Sequence, residues 1–171
     1  SLQLQYLYLD SQKNKNESCF AFSTALDQSV QRLEESRLKL ENYLEDARKE
    51  EFLLTKREYI LSEVQYWILA QQANEVCQTD SESILFFYTN DDDCPDCGTQ
   101  GYILTYLKSV LQDKLLVFSF DVEFEEPMIA ILKQQYNITT TPSIVVSDSV
   151  LSGIQTKETV LSSLCPRYET K

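Results

Sequence analysis

The feature that most constrains this chain is the stretch from Ser18 to Val76, which contains neither Pro nor Gly. Leu, Glu, Lys, Arg and Gln dominate the stretch, and all five have high helix propensity. Apolar residues recur mainly at steps of three and four, the spacing of one helix face. The recurring positions are Leu26, Val30, Leu33, Arg37 (a charged break), Leu40, Leu44 and Ala47, then Leu53, Leu54, Ile60, Leu61, Val64, Trp67 and Ile68. We therefore predict a helical region over residues 18–80.

Two helical arrangements fit this region. One long helix could dimerise as a coiled coil, whereas a turn near Asp46–Glu51, where charged residues crowd, would produce an α-helical hairpin. The hairpin is favoured because helices of almost 60 residues are rare in globular proteins. Cys19 and Cys77 lie symmetrically about residue 48, so antiparallel helices would bring them together as a structural disulfide. That disulfide would indicate an oxidising compartment, whereas two unrelated buried cysteines are the alternative.

Residues 1–17 include four leucines followed by a polar stretch. They are interpreted either as the stub of an anchoring helix or as a short helix that packs on the hairpin. The sequence contains no apolar run of about 18 residues and no signal-peptide pattern. Because Ser1 is not an initiator methionine, our hypothesis is an extracytoplasmic protein, either secreted or the ectodomain of a protein whose membrane anchor lies outside this sequence.

The sequence changes character after Asp80. Apolar runs predict three buried strands, and a fourth short strand is predicted at Val150-Leu151. The strands are Ile84–Tyr88, Leu115–Phe120 and Ser143–Val146, and the helices between and after them run from Cys94 to about Leu111, from Pro127, and from Lys157 to Leu164. The inner side of the first helix is predicted to carry Tyr102, Ile103, Tyr106, Leu107 and Val110. Residues 81–171 are thus predicted to be an α/β domain of order β-α-β-α-β-β-α.

Two motifs stand at fixed places in this order. Cys94-Pro95-Asp96-Cys97 follows the first strand and opens a helix, and Thr141-Pro142 directly precedes the third strand. With the order of elements, they resemble the thioredoxin superfamily over about residues 83–164, roughly half of the chain. The resemblance implies a thiol–disulfide oxidoreductase in which Cys94 is the exposed nucleophile and Cys97 resolves the mixed disulfide. It also implies that Thr141 and a cis-Pro142 line the substrate groove, together with Pro95 and Asp96 of the motif.

The residues before the motif affect the expected chemistry. A helix N-terminus stabilises the thiolate of Cys94. Asp93 stands where the family has a familiar Trp, and it follows Asp91 and Asp92. A carboxylate about 8 Å away, at an effective dielectric constant of about 20, would oppose the thiolate by about 2 kcal/mol, which is comparable to the benefit of the helix end. We therefore expect the pKa of Cys94 to be only mildly depressed. The alternative is an acidic run that caps the helix without a catalytic role.

The amino-acid composition limits the classes of partner and cofactor that we expect. The chain has 27 acidic and 15 basic residues and a net charge of −12, which disfavours binding to nucleic acid or to an anionic membrane surface. It has no His, which excludes His-dependent triads and dyads, and one Cys-x-x-Cys does not supply the four ligands of a structural zinc site. We expect no metal, and no cofactor other than the Cys94–Cys97 disulfide. The expected partners are protein thiols and disulfides and a redox partner protein.

A different function class stays open. The chain could be a redox-inactive, thioredoxin-like adaptor whose helical hairpin binds a partner or forms a homodimer. Cys94 and Cys97 would then form an inert disulfide. Cys165 makes the number of cysteines odd, and it is interpreted either as a free thiol or as an intermolecular bridge.

Overall fold

The computed structural model of the chain describes residues 15–43, 49–90 and 92–164. Predictions made for residues 1–14, Leu44, Ala47, Asp91 and Cys165 lie outside these ranges. The elements are α1 (Lys15–Asn42), α2 (Lys49–Cys77), β1 (Glu82–Tyr88), α3 (Pro95–Leu111), a 3₁₀ turn (Gln112–Lys114), β2 (Leu115–Asp121), α4 (Pro127–Gln135), β3 (Ser143–Val146), β4 (Ser149–Ser152) and α5 (Lys157–Ser163).

Contacts divide the chain into two units, Ser1–Asp80 and Ser81–Lys171. The first contains α1 and α2, and the second contains a mixed α/β arrangement that begins with β1. Within the described ranges, no helix combines the length and the apolar character needed to cross a bilayer.

Helices α1 and α2 form the predicted hairpin. The contacts between them, from the open end toward the turn, are the Cys19–Cys77 disulfide, a buried cluster of Phe22, Ala25, Leu69 and Ala73, and a hydroxyl pair of Ser36 and Ser62. The Cα atoms of Cys19 and Cys77 are 5.5 Å apart, so the disulfide closes the end of the hairpin opposite the turn. In each contact, the two partners lie at about equal sequence distances from the turn, as expected for antiparallel helices.

The inner face of α1 is displaced from the predicted face. Ser29 is only 2% exposed, whereas its neighbour Val30 is 40% exposed. Small side chains at the contact allow two helices to approach closely, and Ala25 and Ser29 provide them here. On α2, the predicted apolar positions divide: Ile60, Val64 and Trp67 are buried, but Leu53 and Leu54 are exposed.

The second unit is built on a four-stranded mixed sheet of order β2-β1-β3-β4. β1 pairs in parallel with β2 and antiparallel with β3, and β3 pairs antiparallel with β4. A parallel pair requires a crossover connection, and α3 provides it between β1 and β2. β1 is therefore an inner strand with helix on its flank, which explains its continuous apolar run.

The two faces of the sheet have separate cores, because alternate residues of a strand point to opposite sides. The core that includes α3 consists of Ile84, Phe86, Leu104, Leu107, Leu115, Ile144, Val146, Val160 and Leu164. On the other face, the rings of Phe87 and Phe120 have centroids 5.8 Å apart. Leu104 and Leu107, which are one turn apart on α3, pack this helix against the sheet.

The inner side of α3 differs from the predicted one. Leu107 is buried as predicted, but Tyr102 is 80% exposed and Tyr106 and Val110 are also exposed. The polar Gln100 lies with Leu104 and Leu107 on the buried face of α3 and has no exposed surface. Tyrosine tolerates a surface position because its hydroxyl can remain in water.

Candidate functional site

The Cys94–Cys97 pair lies where β1 is followed by α3. β1 ends at Tyr88, and the backbone N–H groups of Asp93 and Cys94 both donate to the carbonyl oxygen of Asn90 at 3.0 Å. This turn places Cys94 as the N-cap residue of α3, with Pro95 at the first helical position. Proline is favourable there because the first helical N–H groups have no partner within the helix.

Cys94 and Cys97 are joined by a disulfide, with their Cα atoms 5.4 Å apart. The N–H of Cys97 donates to the carbonyl of Cys94 at 3.0 Å, so both cysteines belong to the first turn of the helix. Each is only 4% exposed. The prediction that Cys94 is the exposed member of the pair is therefore wrong for this structure.

The other motif residues differ in accessibility. Pro95 and Asp96 are exposed on the first turn of α3, Thr141 is half-buried and Pro142 is buried. The peptide bond between Thr141 and Pro142 is cis. The N–H of Gly153 donates to the carbonyl of Pro142 at 2.8 Å, which fixes the backbone of this loop to the end of β4.

The strand register brings the two motif loops together. Phe87 of β1 lies opposite Ser143 of β3 in an antiparallel pair. Continuing that register by two residues sets Thr141 against Thr89, and their Oγ1 atoms are 3.3 Å apart. The loop that leads into Cys94 and the loop that contains Thr141-Pro142 therefore lie side by side, where β1 ends and β3 begins.

Two adjoining cavities form a groove along α3, which we call the α3 groove. The cavity at the motif has a volume of about 350 Å³ and the one farther along about 490 Å³. Phe86, Gly98 and Ser119 line both, the first adds Tyr88, Thr89, Asn90 and Cys97, and the second adds Gly101, Tyr102, Leu104, Thr105, Lys108 and Val117. The groove therefore begins at the disulfide and has aromatic and aliphatic side chains in its walls.

The charges at the two ends of α3 differ in sign. At the motif end, Asp92, Asp93 and Asp96 are exposed, and none of them forms an ion pair with any residue in the described ranges. At the other end, the ammonium of Lys108 donates to the carbonyls of Leu115 and Gln112, at 2.6 and 2.9 Å. Burial lowers the pKa of Lys108, and nearby Asp113 opposes this effect.

Sequence reasoning missed two features of the site, and both had a detectable signal. Gln100 was passed over, although it lies three residues after Cys97 and four before Leu104, on the same helix face. The α3 groove was also missed, although two of the three glycines in the chain, Gly98 and Gly101, lie in this one helix. Glycine destabilises a helix interior, so its presence there indicates a space that a side chain would fill.

In the part of the chain that the structure describes, no group of three or more His, Cys, Asp or Glu side chains is arranged to hold a metal ion. Cys19 and Cys77 are bonded to each other at the open end of the hairpin.

Comparison with known proteins adds little to this geometry. No protein family and no curated protein matches the sequence. A solved structure described as that of a malarial protein is similar to 48% of this chain and 92% of its own, with 11% identity and a TM-score of 0.42. At that level the similarity carries no argument about fold or function.

Proposed function

We propose that Cys94 and Cys97 form a redox couple that exchanges disulfides with protein substrates. One observation carries the proposal: the disulfide occupies the N-cap and first turn of α3, and the α3 groove begins beside it. Unpaired N–H groups and the positive end of the helix dipole stabilise a thiolate at this position. The thiolate is the species that attacks a disulfide, so the helix end favours exchange.

In the reducing direction, the Cys94 thiolate attacks one sulfur of a client disulfide. A mixed disulfide forms and the other client sulfur leaves as a thiolate. The Cys97 thiolate then attacks Sγ of Cys94, and the second client sulfur leaves. The client has gained two electrons and two protons, and the protein holds the Cys94–Cys97 disulfide. Oxidation of a client dithiol follows the same steps in reverse.

A thioredoxin-like fold for residues 81–171 is part of the proposal. The element order β-α-β-α-β-β-α and the central β1 that leads into the Cys-x-x-Cys helix support it. The contact between Thr89 and Thr141 also supports it, because it sets Thr141-Pro142 beside the turn before Cys94. In this proposal Thr141, Pro142, Pro95 and Asp96 line the substrate site.

A second candidate function follows from the burial of the disulfide. An incoming thiolate must reach a sulfur atom, and each cysteine is only 4% exposed. If the pair is inert, the chain is an adaptor, and its helical hairpin is where a partner or a second copy binds. Phe20, Val30 and Leu38 are the exposed apolar side chains that α1 would present to it.

A redox titration distinguishes the two candidates. The protein is equilibrated in glutathione buffers of graded potential, alkylated, and its thiols are counted by intact mass, with Cys94→Ser as the control. A redox couple titrates reversibly between about −120 and −270 mV and disappears in the control. A pair that stays oxidised at about −300 mV overturns the proposal and favours the inert disulfide. Cys19–Cys77 serves as the internal reference, since a structural disulfide should resist reduction throughout.

We place the protein in an extracytoplasmic compartment. The structural pair Cys19–Cys77 at bonding distance supports this location, because structural disulfides persist where the surroundings are oxidising. The proposed partners are protein thiols and disulfides and a redox protein that resets the Cys94–Cys97 couple.

A further inference from the structure

The α3 groove has the dimensions and lining of a binding site. Its larger part encloses about 490 Å³, within the range of pockets that take small molecules or side chains. The floor is formed by Phe86 and Val117, and Tyr102 and Thr105 stand on the helix side. At Gly101 an added Cβ would lie 3.8 Å from Cε1 of Phe86, so the absence of a side chain keeps the groove open at its middle.

The end of the groove at the disulfide carries negative charge. Asp92 and Asp93 lie in the turn that follows Asn90, which lines the groove, and Asp96 is on the first turn of α3 next to Cys97. All three are exposed and form no ion pair with another described residue. A polypeptide whose cysteine reaches this disulfide must bring its flanking residues close to these carboxylates.

We propose that the clients of this site are polypeptides in which the reacting cysteine lies next to an apolar residue and is flanked by Lys or Arg. The apolar side chain occupies the α3 groove, and the basic residues face Asp92, Asp93 and Asp96. This inference rests on the proposed disulfide exchange at Cys94–Cys97. It adds the α3 groove, which adjoins Cys97, to the substrate contacts proposed for Thr141, Pro142, Pro95 and Asp96.

Charge excludes the competing occupants of the groove. Residues 81–171 contain 13 acidic and 6 basic side chains, a net charge of −7, so a second copy of the chain would be repelled. Nucleic acid would be repelled in the same way. A cationic client is attracted to the acidic end of the groove at the disulfide, whereas Lys108 lines only the part farther along α3. Attraction between opposite charges raises association rates by about 10- to 1,000-fold.

The test uses matched peptides whose cysteine is disulfide-bonded to thionitrobenzoate. The sequences are acetyl-Lys-Leu-Cys-Lys-amide, acetyl-Glu-Leu-Cys-Glu-amide and acetyl-Lys-Ser-Cys-Lys-amide. The pre-reduced protein is mixed with each peptide, and release of thionitrobenzoate is followed by absorbance. We expect the Lys-Leu peptide to react at least about tenfold faster than the Glu peptide in low salt. The advantage should shrink at high salt, because ions screen exposed charges.

Two sets of variants separate charge from fit. The triple variant Asp92→Asn, Asp93→Asn, Asp96→Asn should reduce the Lys-to-Glu preference to less than about threefold, since it removes the attraction. The control Asp113→Asn, Asp148→Asn, Glu158→Gln changes three exposed acidic side chains elsewhere and should keep the preference. Thr105→Trp should fill the groove and remove the preference for Leu over Ser, whereas Thr105→Ser should retain it.

A small neutral probe, hydroxyethyl disulfide, distinguishes the failure of this inference from the failure of the proposed function. If the reduced protein reduces hydroxyethyl disulfide but treats the Lys and Glu peptides equally in low salt, the client class is wrong and disulfide exchange stands. Equal rates for the Leu and Ser peptides likewise overturn the role of the groove. If hydroxyethyl disulfide is not reduced at all, the proposed function is wrong and the client class falls with it.

Discussion

The side chain of Gln100 holds the backbone of Gln155. The N–H of Gln155 donates to Oε1 of Gln100 at 2.7 Å, and Nε2 of Gln100 donates to the carbonyl of Gln155 at 3.4 Å. Gln100 lies in α3, one turn after Cys97, and Gln155 lies in the loop between β4 and α5. One buried amide therefore connects the helix that carries the disulfide to the loop between β4 and α5.

Replacing Gln100 by Leu should lower the free energy of unfolding by about 1–3 kcal/mol. Leucine has a similar size and is apolar, but it leaves the N–H and the carbonyl of Gln155 without a partner. Urea denaturation measures the change, with an m-value equal to that of the wild type.

The matched control for that change is Gln135→Leu, at an exposed position at the end of α4. It should change the unfolding free energy by less than about 0.5 kcal/mol. Equal stabilities for Gln100→Leu and the wild type would show that the pair of hydrogen bonds contributes nothing measurable.

The inner face of α3 shows how far sequence reasoning extends. Apolar residues occur around most of this helix, so their spacing defines a helix but leaves its rotation open. The rotation is set by the sheet, on which Leu104 and Leu107 pack, and by the backbone of Gln155, which gives the polar Gln100 a partner. Tyr102 and Tyr106 turn outward, where the ammonium of Lys157 lies 5.1 Å from the Tyr106 ring centroid.

The hairpin disulfide should contribute substantially to stability. It joins residues 58 positions apart, and in the chain-entropy model a loop of that length corresponds to about 4 kcal/mol. The double variant Cys19→Ser, Cys77→Ser should therefore lose up to about 4 kcal/mol in unfolding free energy, monitored by helical circular dichroism.

The matched comparison is Cys94→Ser, Cys97→Ser, which opens a disulfide with a separation of only 3. It should lose much less, because a short loop restricts the unfolded chain less. If both double variants lose the same free energy, chain entropy does not explain the stabilisation by Cys19–Cys77.

The candidate site was predicted from the sequence only as far as its motifs. Cys94 and Cys97 were located correctly at the start of a helix because strand and helix patterns flank them. The contact between Thr89 and Thr141 depends on the β1–β3 register, which pairs residues more than 50 positions apart. The α3 groove depends on the position of α3 over the sheet, and a local pattern does not contain that information.

Asp93 should raise the pKa of the Cys94 thiol, because a nearby carboxylate disfavours the thiolate. In the Cys97→Ser background, Asp93→Asn should therefore lower the pKa of Cys94, and solvent screening should keep this effect small. The pH dependence of thiolate absorbance at about 240 nm measures this pKa.

Asp113→Asn is the charge-matched control for Asp93. Asp113 follows the opposite end of α3, about 25 Å away along a helix of 17 residues. That distance exceeds the Debye length at physiological salt, so the pKa of Cys94 should not change. A pKa of Cys94 below about 5 in the wild type would contradict the opposing effect of the acidic run.

Tyr136 should make the protein less stable in alkali. Burial, with a smaller effect of Asp148, raises the pKa of Tyr136 above its ordinary value of about 10. Above pH 10 the unfolded chain loses this proton more readily than the folded chain, so stability falls as the pH rises through the folded pKa. Tyr136→Phe should flatten this alkaline loss in urea denaturation at a series of pH values. An unchanged slope would assign the loss to other groups.

Two glycines should respond to alanine with opposite signs. At Gly101, inside α3, a Cβ meets Cε1 of Phe86 at 3.8 Å, which is an ordinary contact, so Gly101→Ala should raise the unfolding free energy by about 0.5–1 kcal/mol. At Gly153 a Cβ would meet nothing within 4 Å, yet φ is +79°, a conformation that an L side chain rarely adopts. Gly153→Ala should therefore lower the unfolding free energy, by about 1 kcal/mol or more. Urea denaturation of both variants measures the two changes. A stabilising effect of Gly153→Ala would contradict the left-handed backbone at Gly153. A destabilising effect of Gly101→Ala would mean that the added Cβ lies closer to Cε1 of Phe86 than 3.8 Å.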